Sequence, residues 1–366
     1  MEQILKANPN NKILACAPSN SAADLIAIKL EHLGPSILFR LNAISRSIKI
    51  EEGFPATLKR FSLINDNTVF AIPPAEELAK YRVIVSTCFS GGIPASLGLK
   101  RGYFSHIFID EAGQGKEPEV MVPIKGIASR DTNVVLAGDN RQLGPRVHSG
   151  TAQWLGLKKS YLARLMEMDV YNIEGNNKGP GGRGVTYVVP NFFVLTLVLI
   201  CVYRIVKLVK NFRSHPSILQ FPNERFYTSE LQSCGDPMIT HSLENAEDLP
   251  KRGFPTIFHG VVGKDDREKS SPSFFNVDEV ALVKKYCESL VSNRKNNIRS
   301  CFFKLVQLVE DVLTCVVFVG AEHIGIITPY HAQMCKIKNV LRRNPKLAGA
   351  TVGSVEQFQG QVSPLS

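Results

Sequence analysis

HIFIDEAGQGKEPE, residues 106–119, is an apolar, β-branched run that ends in two adjacent acids, a small-residue turn and further carboxylates. A run of this length and composition fits a buried strand, so Asp110 and Glu111 stand together at its tip. Two neighbouring carboxylates repel each other and must be solvated or offered positive charge. The question is which cation they serve.

Similar runs recur on both sides of it: KILACAP (12–18), YRVIVSTC (81–88), NVVLAGD (133–139), HIGIITPY (323–330) and TVGSVEQF (351–358). Each is nearly continuous in apolar residues, as parallel strands covered on both faces should be, and each stops at small or polar residues. Helical patterns lie between them. In residues 21–32, Ser19 or Ser21 can cap the first turn, and Leu25, Ile28 and Leu30 supply apolar contacts. The alternation predicts an α/β fold with a parallel sheet, in which ligands collect where strands end. Four such places are rich in polar groups: APSNSA, DEAGQ, GDNRQLGP and NFRSHP.

The chain has 366 residues, 44% of them apolar, enough for two domains with cores of ordinary size. Lys and Arg exceed Asp and Glu by 43 − 33 = 10. That balance favours polyanionic partners without choosing among nucleic acid, a membrane surface and simple solubility. The eight cysteines show no CxxC pair and no histidine at ligand spacing. They are expected to be reduced core thiols, with no structural metal. The amino terminus, MEQILKANPNNK, lacks the basic-then-apolar order of a secretory signal, which points to the cytosol or nucleus.

Two stretches depart from the pattern. Residues 185–206 are strongly apolar but interrupted by Pro190 and Asn191, and the uninterrupted part is shorter than the roughly 17 to 25 residues a spanning helix needs. Residues 301–320 begin with helical spacing at Phe302, Leu305, Val309 and Val312 and continue as an apolar run. GNNKGPGGRG, 175–184, has the composition of a linker. The predicted organisation is one domain over 1–174, a linker with an apolar insert over 175–206, and a second domain over 207–366.

Paired acids at a strand end suit Mg²⁺-dependent nucleotide hydrolysis: Asp110 would hold the metal and Glu111 would orient and deprotonate the attacking water. By position alone the pair also fits a solvated turn. In GDNRQLGP, Gly138 permits a tight turn, Asp139 can cap or salt-link the loop, and Gln142 offers an amide that can sense a terminal phosphate or its water. In NFRSHP, Arg213 presents a planar fork matched to phosphate oxygens, and Phe212 offers a π-face to a base. The hexapeptide alone equally fits a surface arginine in a helix-start turn.

APSNSA, DEAGQ, GDNRQLGP, NFRSHP, ITPY and VGSVEQFQGQ, in this order, resemble the motifs of Upf-like superfamily 1 RNA helicases. ILACAPSNSAADL, HIFIDEAGQ, FPTIFHGVVGKDDRE and SPSFFN are similar to the Mov-ten and Armitage branch. The resemblance covers most of the chain outside residues 175–204 and 296–322. It implies two RecA-like domains with parallel sheets facing each other across an ATP cleft. It implies Asp110 as Mg²⁺ ligand, Glu111 as water activator, Gln142 as γ-phosphate sensor and Arg213 as finger. Phe212 would pack on the adenine, with Asp139 in the nucleotide loop. Ser19, Asn20, Thr87, Thr328 and Gln359 would lie along single-stranded RNA, and Gly360 with Gln359 would couple nucleotide state to the strand. Further implications are 5′-to-3′ movement, a role in RNA silencing and messenger RNA turnover, Argonaute-type partners and cytoplasmic granules.

One motif of that family is missing. G-x-x-x-x-G-K-[ST], the loop that cradles phosphates, occurs nowhere in the 366 residues; GVVGKDD (260–266) has the wrong spacing. The resemblance therefore predicts a first domain truncated at its start and a second truncated at its end, where VSPLS replaces the expected arginine motif. Such a chain should neither hydrolyse ATP nor unwind RNA. The apolar inserts fit translated intron, and a membrane-tethered variant is the reading if they are genuine. The alternatives to a helicase on RNA are a nucleotide-independent RNA- or protein-binding remnant and a DNA helicase.

Overall fold

The computed structural model describes residues 1–48, 54–65, 69–168, 171, 186–189, 201–241, 243–244, 249–268, 272–292, 302–304, 314–318 and 321–358; of these, 186–189, 201–204, 292, 302–304, 314–318 and 356–357 are described as backbone only. The chain divides into two compact units, Met1–Lys207 and Leu208–Ser366.

The first unit opens with helix α1, Glu2–Ala7, and is built on five parallel strands: β1 (Ile13–Ala17), β2 (Leu38–Arg40), β3 (Val83–Thr87), β4 (His106–Ile109) and β5 (Asn133–Leu136), in the order β2-β3-β1-β4-β5. Successive strand residues point to opposite faces. Ile13, Ala15, Ala17, Val83 and Val85 meet one side, where helix α2 (Asn20–Lys29) contributes Ala23, Ile26 and Ala27. Leu14, Cys16, Ile84, Ile107 and Ile109 meet the other, where helix α3 (Glu117–Ile127) contributes Val120 and Ile127. The register aligns Ala17 with Thr87, Cys16 with Ile109, and Ile109 with Leu136, so the polar tips emerge along one edge of the sheet.

Four strands meet the expectation of cover on both faces. The exception is β5, one of the two edge strands, where Val134 and Val135 are each 39% exposed. Its apolar run matches those of its neighbours, and edge position alone does not account for its exposure, since β2 at the opposite edge is buried throughout. The helix expected over residues 21–32 spans Asn20–Lys29, capped by Ser19, whose Oγ accepts from Ala22 N at 3.1 Å. A 3-10 turn, Glu31–Leu33, follows and closes on Gly34 at φ 82°, a conformation glycine adopts without strain.

In the second unit, strands Lys210–Asn211 and Gln232–Ser233 pair in parallel beside helix α4, Pro216–Phe226. Its main sheet is mixed and not all-parallel: Thr314–Phe318 runs antiparallel to Phe302–Lys304 on one side and to Gly325–Ile327 on the other, and Thr351–Gly353 pairs in parallel with Gly325–Ile327. Helices α5 (Val277–Ser292) and α6 (His331–Arg342) supply Val280, Val283, Cys287, Ile337 and Leu341 to a core with Ile324, Ile326 and Val352. Where residues 301–320 are described, at Phe302–Lys304 and Thr314–Phe318, they form strands; Leu305, Val309 and Val312 of the helical spacing lie outside the described residues, and the run Thr314–Phe318 is rich in β-branched residues and pairs on both sides. The run 351–358 divides into strand Thr351–Gly353 and a short helix, Val355–Phe358. Among the described residues no helix is long and apolar enough to cross a membrane.

Cys16, Cys88 and Cys287 are buried and free, whereas Cys234 is exposed. Burial pushes the thiols of Cys16 and Cys287 up to about 12 and that of Cys88 upward as well. Only thiolate reacts quickly with disulfide reagents. Native protein is therefore expected to release reagent first from Cys234, and the three buried thiols should react only on unfolding. Fast native labelling of Cys16, located by peptide mapping, would contradict this packing.

Candidate active site

Two strand tips of the first unit are locked together through their backbones. Ala137 N donates to Ile109 O at 2.8 Å, and Ala112 N donates to Ala137 O at 2.8 Å. The approach is so close that a Cβ on Gly113 would lie 2.6 Å from Asp139 O, and one on Gly138 would lie 2.9 Å from the amide nitrogens of Ala112 and Gly113. Glycine at both positions is thus a steric requirement of the paired turns. The DEAGQ and GDNRQ stretches form one structural element.

Within it, Asp110 and Glu111 are both half-buried. Asp110 N donates to Cys16 O at 2.8 Å, which ties the acid to the central strand. Glu111 has φ 52°, a left-handed conformation uncommon outside glycine, and is held there by its N–H to Asp110 Oδ1 at 3.0 Å. Gln114 Nε2 donates to Glu111 Oε2 at 2.6 Å, and Gln114 N to Glu111 O at 2.9 Å. Gln114 was not singled out by sequence reasoning. Its place three residues after Glu111 in a small-residue turn is the signal that could have found it.

Asp139 organises its own loop: its Oδ1 accepts from Arg141 N at 2.8 Å and its Oδ2 from Gln142 Nε2 at 2.8 Å. Gln142 is exposed, and its amide is aimed by this bond. The Asp139 side chain thus caps the loop, one of the two roles its sequence position offers, and orients Gln142.

Further along the same sheet edge, Ser19 spends its hydroxyl on the α2 cap and on Ser21 Oγ at 3.0 Å. Asn20 is exposed, and its Oδ1 accepts from Arg40 Nη2 at 3.2 Å. Arg40 is fully buried, donates from Nε to Asp24 Oδ1 at 2.9 Å and from Nη1 to Leu41 O at 2.8 Å, and carries a guanidinium lowered by burial to about 10, still charged at neutral pH. Thr87 Oγ1 donates to Ser90 Oγ at 3.1 Å and accepts from Ser90 N at 3.2 Å.

In the second unit, Phe212 is 62% exposed and Arg213 is exposed, on the turn before α4. Asn211 Oδ1 shapes that turn by accepting from Arg213 N at 3.0 Å and Ser214 N at 2.8 Å. Thr328 is 3% exposed, so the side chain assigned to RNA is enclosed after strand Gly325–Ile327 and only neighbouring backbone is at hand for a strand there. Gln359 and Gly360 lie outside the described residues.

As to ligands, Asp110 offers hard carboxylate oxygen, the donor type Mg²⁺ takes when phosphates and water complete its shell. No phosphate-cradling loop is supplied by the 366 residues.

A parallel α/β sheet with adjacent acids at one tip and the Asp139–Gln142 loop at the next has the architecture of a RecA-like domain. Residues 40–150 and 196–364 each match a family model described as an AAA domain. Human RNA helicase Mov10l1 is 38% identical over 362 residues, 98% of this chain and 26% of the relative. Putative helicase mov-10-B.1 of Danio rerio is 38% identical over 372 residues, 99% of this chain and 32% of the relative. Probable RNA helicase armi of Drosophila melanogaster is 29% identical over 385 residues, 98% of this chain and 29% of the relative. The chain belongs to the Mov10 and Armitage family of helicases, and it spans about a quarter to a third of the length of these relatives. Among solved structures, the C-terminal part of the Fun30 ATPase domain aligns with 46% of this chain and 51% of its own at 13% identity and a TM-score of 0.25, too slight a likeness to bear on the fold.

Proposed function

We propose that these residues are the hydrolytic and RNA-tracking part of an ATP-dependent RNA helicase that moves 5′ to 3′ and serves RNA silencing and messenger RNA turnover. The observation that carries the reading is the backbone-locked pair of tips, which keeps Asp110 and Glu111 at a set distance from the Asp139–Gln142 loop. Relatives named as RNA helicases, at 38% identity, support the substrate class. The silencing role, Argonaute-type partners and residence in cytoplasmic granules rest on family likeness alone.

In this reading Asp110 keeps one oxygen on Glu111 N and offers the other to Mg²⁺, which, with a nucleotide bound, would neutralise charge on the transferred phosphate. Glu111, steadied by Gln114, accepts the proton of the attacking water. Gln142, aimed by Asp139, senses the terminal phosphate. Arg213 and Phe212 keep the finger and adenine-stacking roles of their motif. Ser19, Asn20 and Thr87 line the RNA path, and Gln359 and Gly360 couple it to nucleotide state.

Without a phosphate-loop lysine, the loss of one such cationic partner lowers the rate by on the order of a thousandfold or more. The 366-residue chain measured by itself is therefore expected to hold single-stranded RNA, with affinity falling steeply as salt rises, and to release no phosphate from Mg²⁺-ATP. Filter binding across a salt series, with single-stranded DNA as competitor, and a phosphate-release assay check both parts. Absence of RNA binding even at low salt would overturn the helicase reading. Phosphate release that disappears in Glu111→Gln would instead show that these residues suffice for hydrolysis. RNA binding indifferent to nucleotide is the result a binding remnant would give.

A further inference from the structure

The second unit brings together three ligand-type side chains, two of them three residues apart and the third 26 residues before them. His215 caps α4, His241 follows the short helix Pro237–Thr240, and Glu244 sits one turn on, its N donating to His241 O at 3.1 Å. Glu244 O in turn accepts from Gly253 N at 2.7 Å. One ligand atom from each of the three lies within 4.8 Å of the other two, and the imidazoles meet edge-on with centroids 4.5 Å apart.

Two observations separate this cluster from a chance meeting of polar groups. His215 is 7% exposed, and its Nε2, turned into the cluster, makes no hydrogen bond but stands at ion-pair distance, 3.5 Å, from Glu244 Oε2. In the cation-free protein this nitrogen carries the ring proton and faces the Glu244 carboxylate, so His215 and Glu244 already converge on one point. The second observation is the state of His241. Thr240 Oγ1 gives its hydrogen to Asp236 O at 3.1 Å, so its 2.9 Å contact with His241 Nδ1 is a donation from the ring. The lone pair of His241 is therefore on Nε2. A hydrogen bond of this kind, from the ring nitrogen remote from the cation, is what orients metal-binding histidines.

We propose that His215, His241 and Glu244 form a binding site for one divalent cation of borderline softness, of which Zn²⁺ fits best. Two imidazole nitrogens and a carboxylate oxygen make a three-ligand set that leaves a fourth position to water. The site also has a mechanical consequence. Nδ1 of His215 accepts from Ser217 N at 3.2 Å, which places the ring proton on Nε2. A cation taken up at Nε2 moves that proton to Nδ1 and releases Ser217 N from its cap. Binding thereby loosens the first turn of α4, immediately behind Phe212 and Arg213. The proposal stands on this cluster alone and does not depend on the helicase reading.

The test is titration of the complete chain, stripped by chelator, with Co²⁺ and then Zn²⁺. One Co²⁺ per chain is expected to produce visible d–d bands of tetrahedral intensity that Zn²⁺ displaces. His241→Gln and Glu244→Gln, both at half-buried positions, should each abolish the bands, and Thr240→Val should weaken Co²⁺ binding by roughly 10- to 100-fold. His259→Gln, which alters a histidine paired with Tyr286 at 2.8 Å, should leave the bands intact. Three results would overturn the assignment: no bands at saturating Co²⁺, bands that survive in both ligand variants, or thiolate charge-transfer absorption that vanishes in Cys234→Ser.

Discussion

Asp24→Ala is expected to destabilise the first unit by about 3–5 kcal/mol, the typical result of leaving a buried charge without its partner. Asp24 is the only acid between two guanidinium groups: Arg40 donates to Oδ1 at 2.9 Å, and Arg46 donates to Oδ1 at 2.8 Å and to Oδ2. Arg40 is fully buried and Arg46 nearly so. Without the carboxylate, two like charges face each other in a dry environment. The remaining acceptors, Leu41 O and Asn20 Oδ1 for Arg40 and Asn42 Oδ1 for Arg46, are neutral and cannot replace it. Asp24→Asn preserves shape without charge and should fall between parent and alanine. The consequence extends to the strand tips, because Arg40 is what holds the Asn20 side chain. Urea unfolding followed by far-ultraviolet circular dichroism measures the loss. By contrast, Lys284→Ala breaks an exposed ion pair with Glu288 at 3.7 Å and should leave the midpoint nearly unchanged. Equal effects from the two substitutions would mean that the buried network does not hold this unit together.

The second large effect is expected from Gly113→Ala. The added methyl carbon would sit 2.6 Å from Asp139 O and 3.2 Å from Asp139 C, and these are backbone atoms that no rotamer change can move aside. Relief requires the DEAGQ and GDNRQ turns to separate, which breaks the Ala112 N to Ala137 O bond. Overpacking of this kind costs typically about 1–3 kcal/mol. Faster hydrogen exchange at Ala112 N–H would accompany the loss, since that amide is the clasp between the turns. Gly150→Ala, where a Cβ meets nothing within 4 Å, should show no such change. If Gly113→Ala kept both parent stability and parent exchange at Ala112, the two turns could not be a single element, and the case for a coordinated site would weaken with it.

Much of the candidate site was legible because strand ends and polar clusters are local signals. DEAGQ and GDNRQLGP lie at the ends of β4 and β5 because apolar runs end abruptly where the chain leaves a core. The Ser19 cap was visible for the same reason: a small hydroxyl residue preceded an apolar periodic stretch. Gln114 escaped notice because its role depends on a turn conformation, with Glu111 at positive φ, that residue types alone do not announce. In residues 301–320 the apolar run Thr314–Phe318 is a strand paired with Gly325–Ile327, a partner that the run itself does not announce, while most of the helical spacing read before it lies outside the described residues.

By itself, the sequence determined the α/β class, the parallel character of the first sheet, the tips that carry polar groups and the family motifs, because apolar period and turn chemistry are properties of neighbouring residues. Only the tertiary structure decided that β1 lies at the centre and β5 at the uncovered edge, that Asp24 stands between Arg40 and Arg46, and that His215 meets His241 and Glu244. These are contacts between residues distant in the chain. A hydrophobic pattern specifies that a residue is buried, but which partner it is buried against is set by how all the strands and helices pack at once.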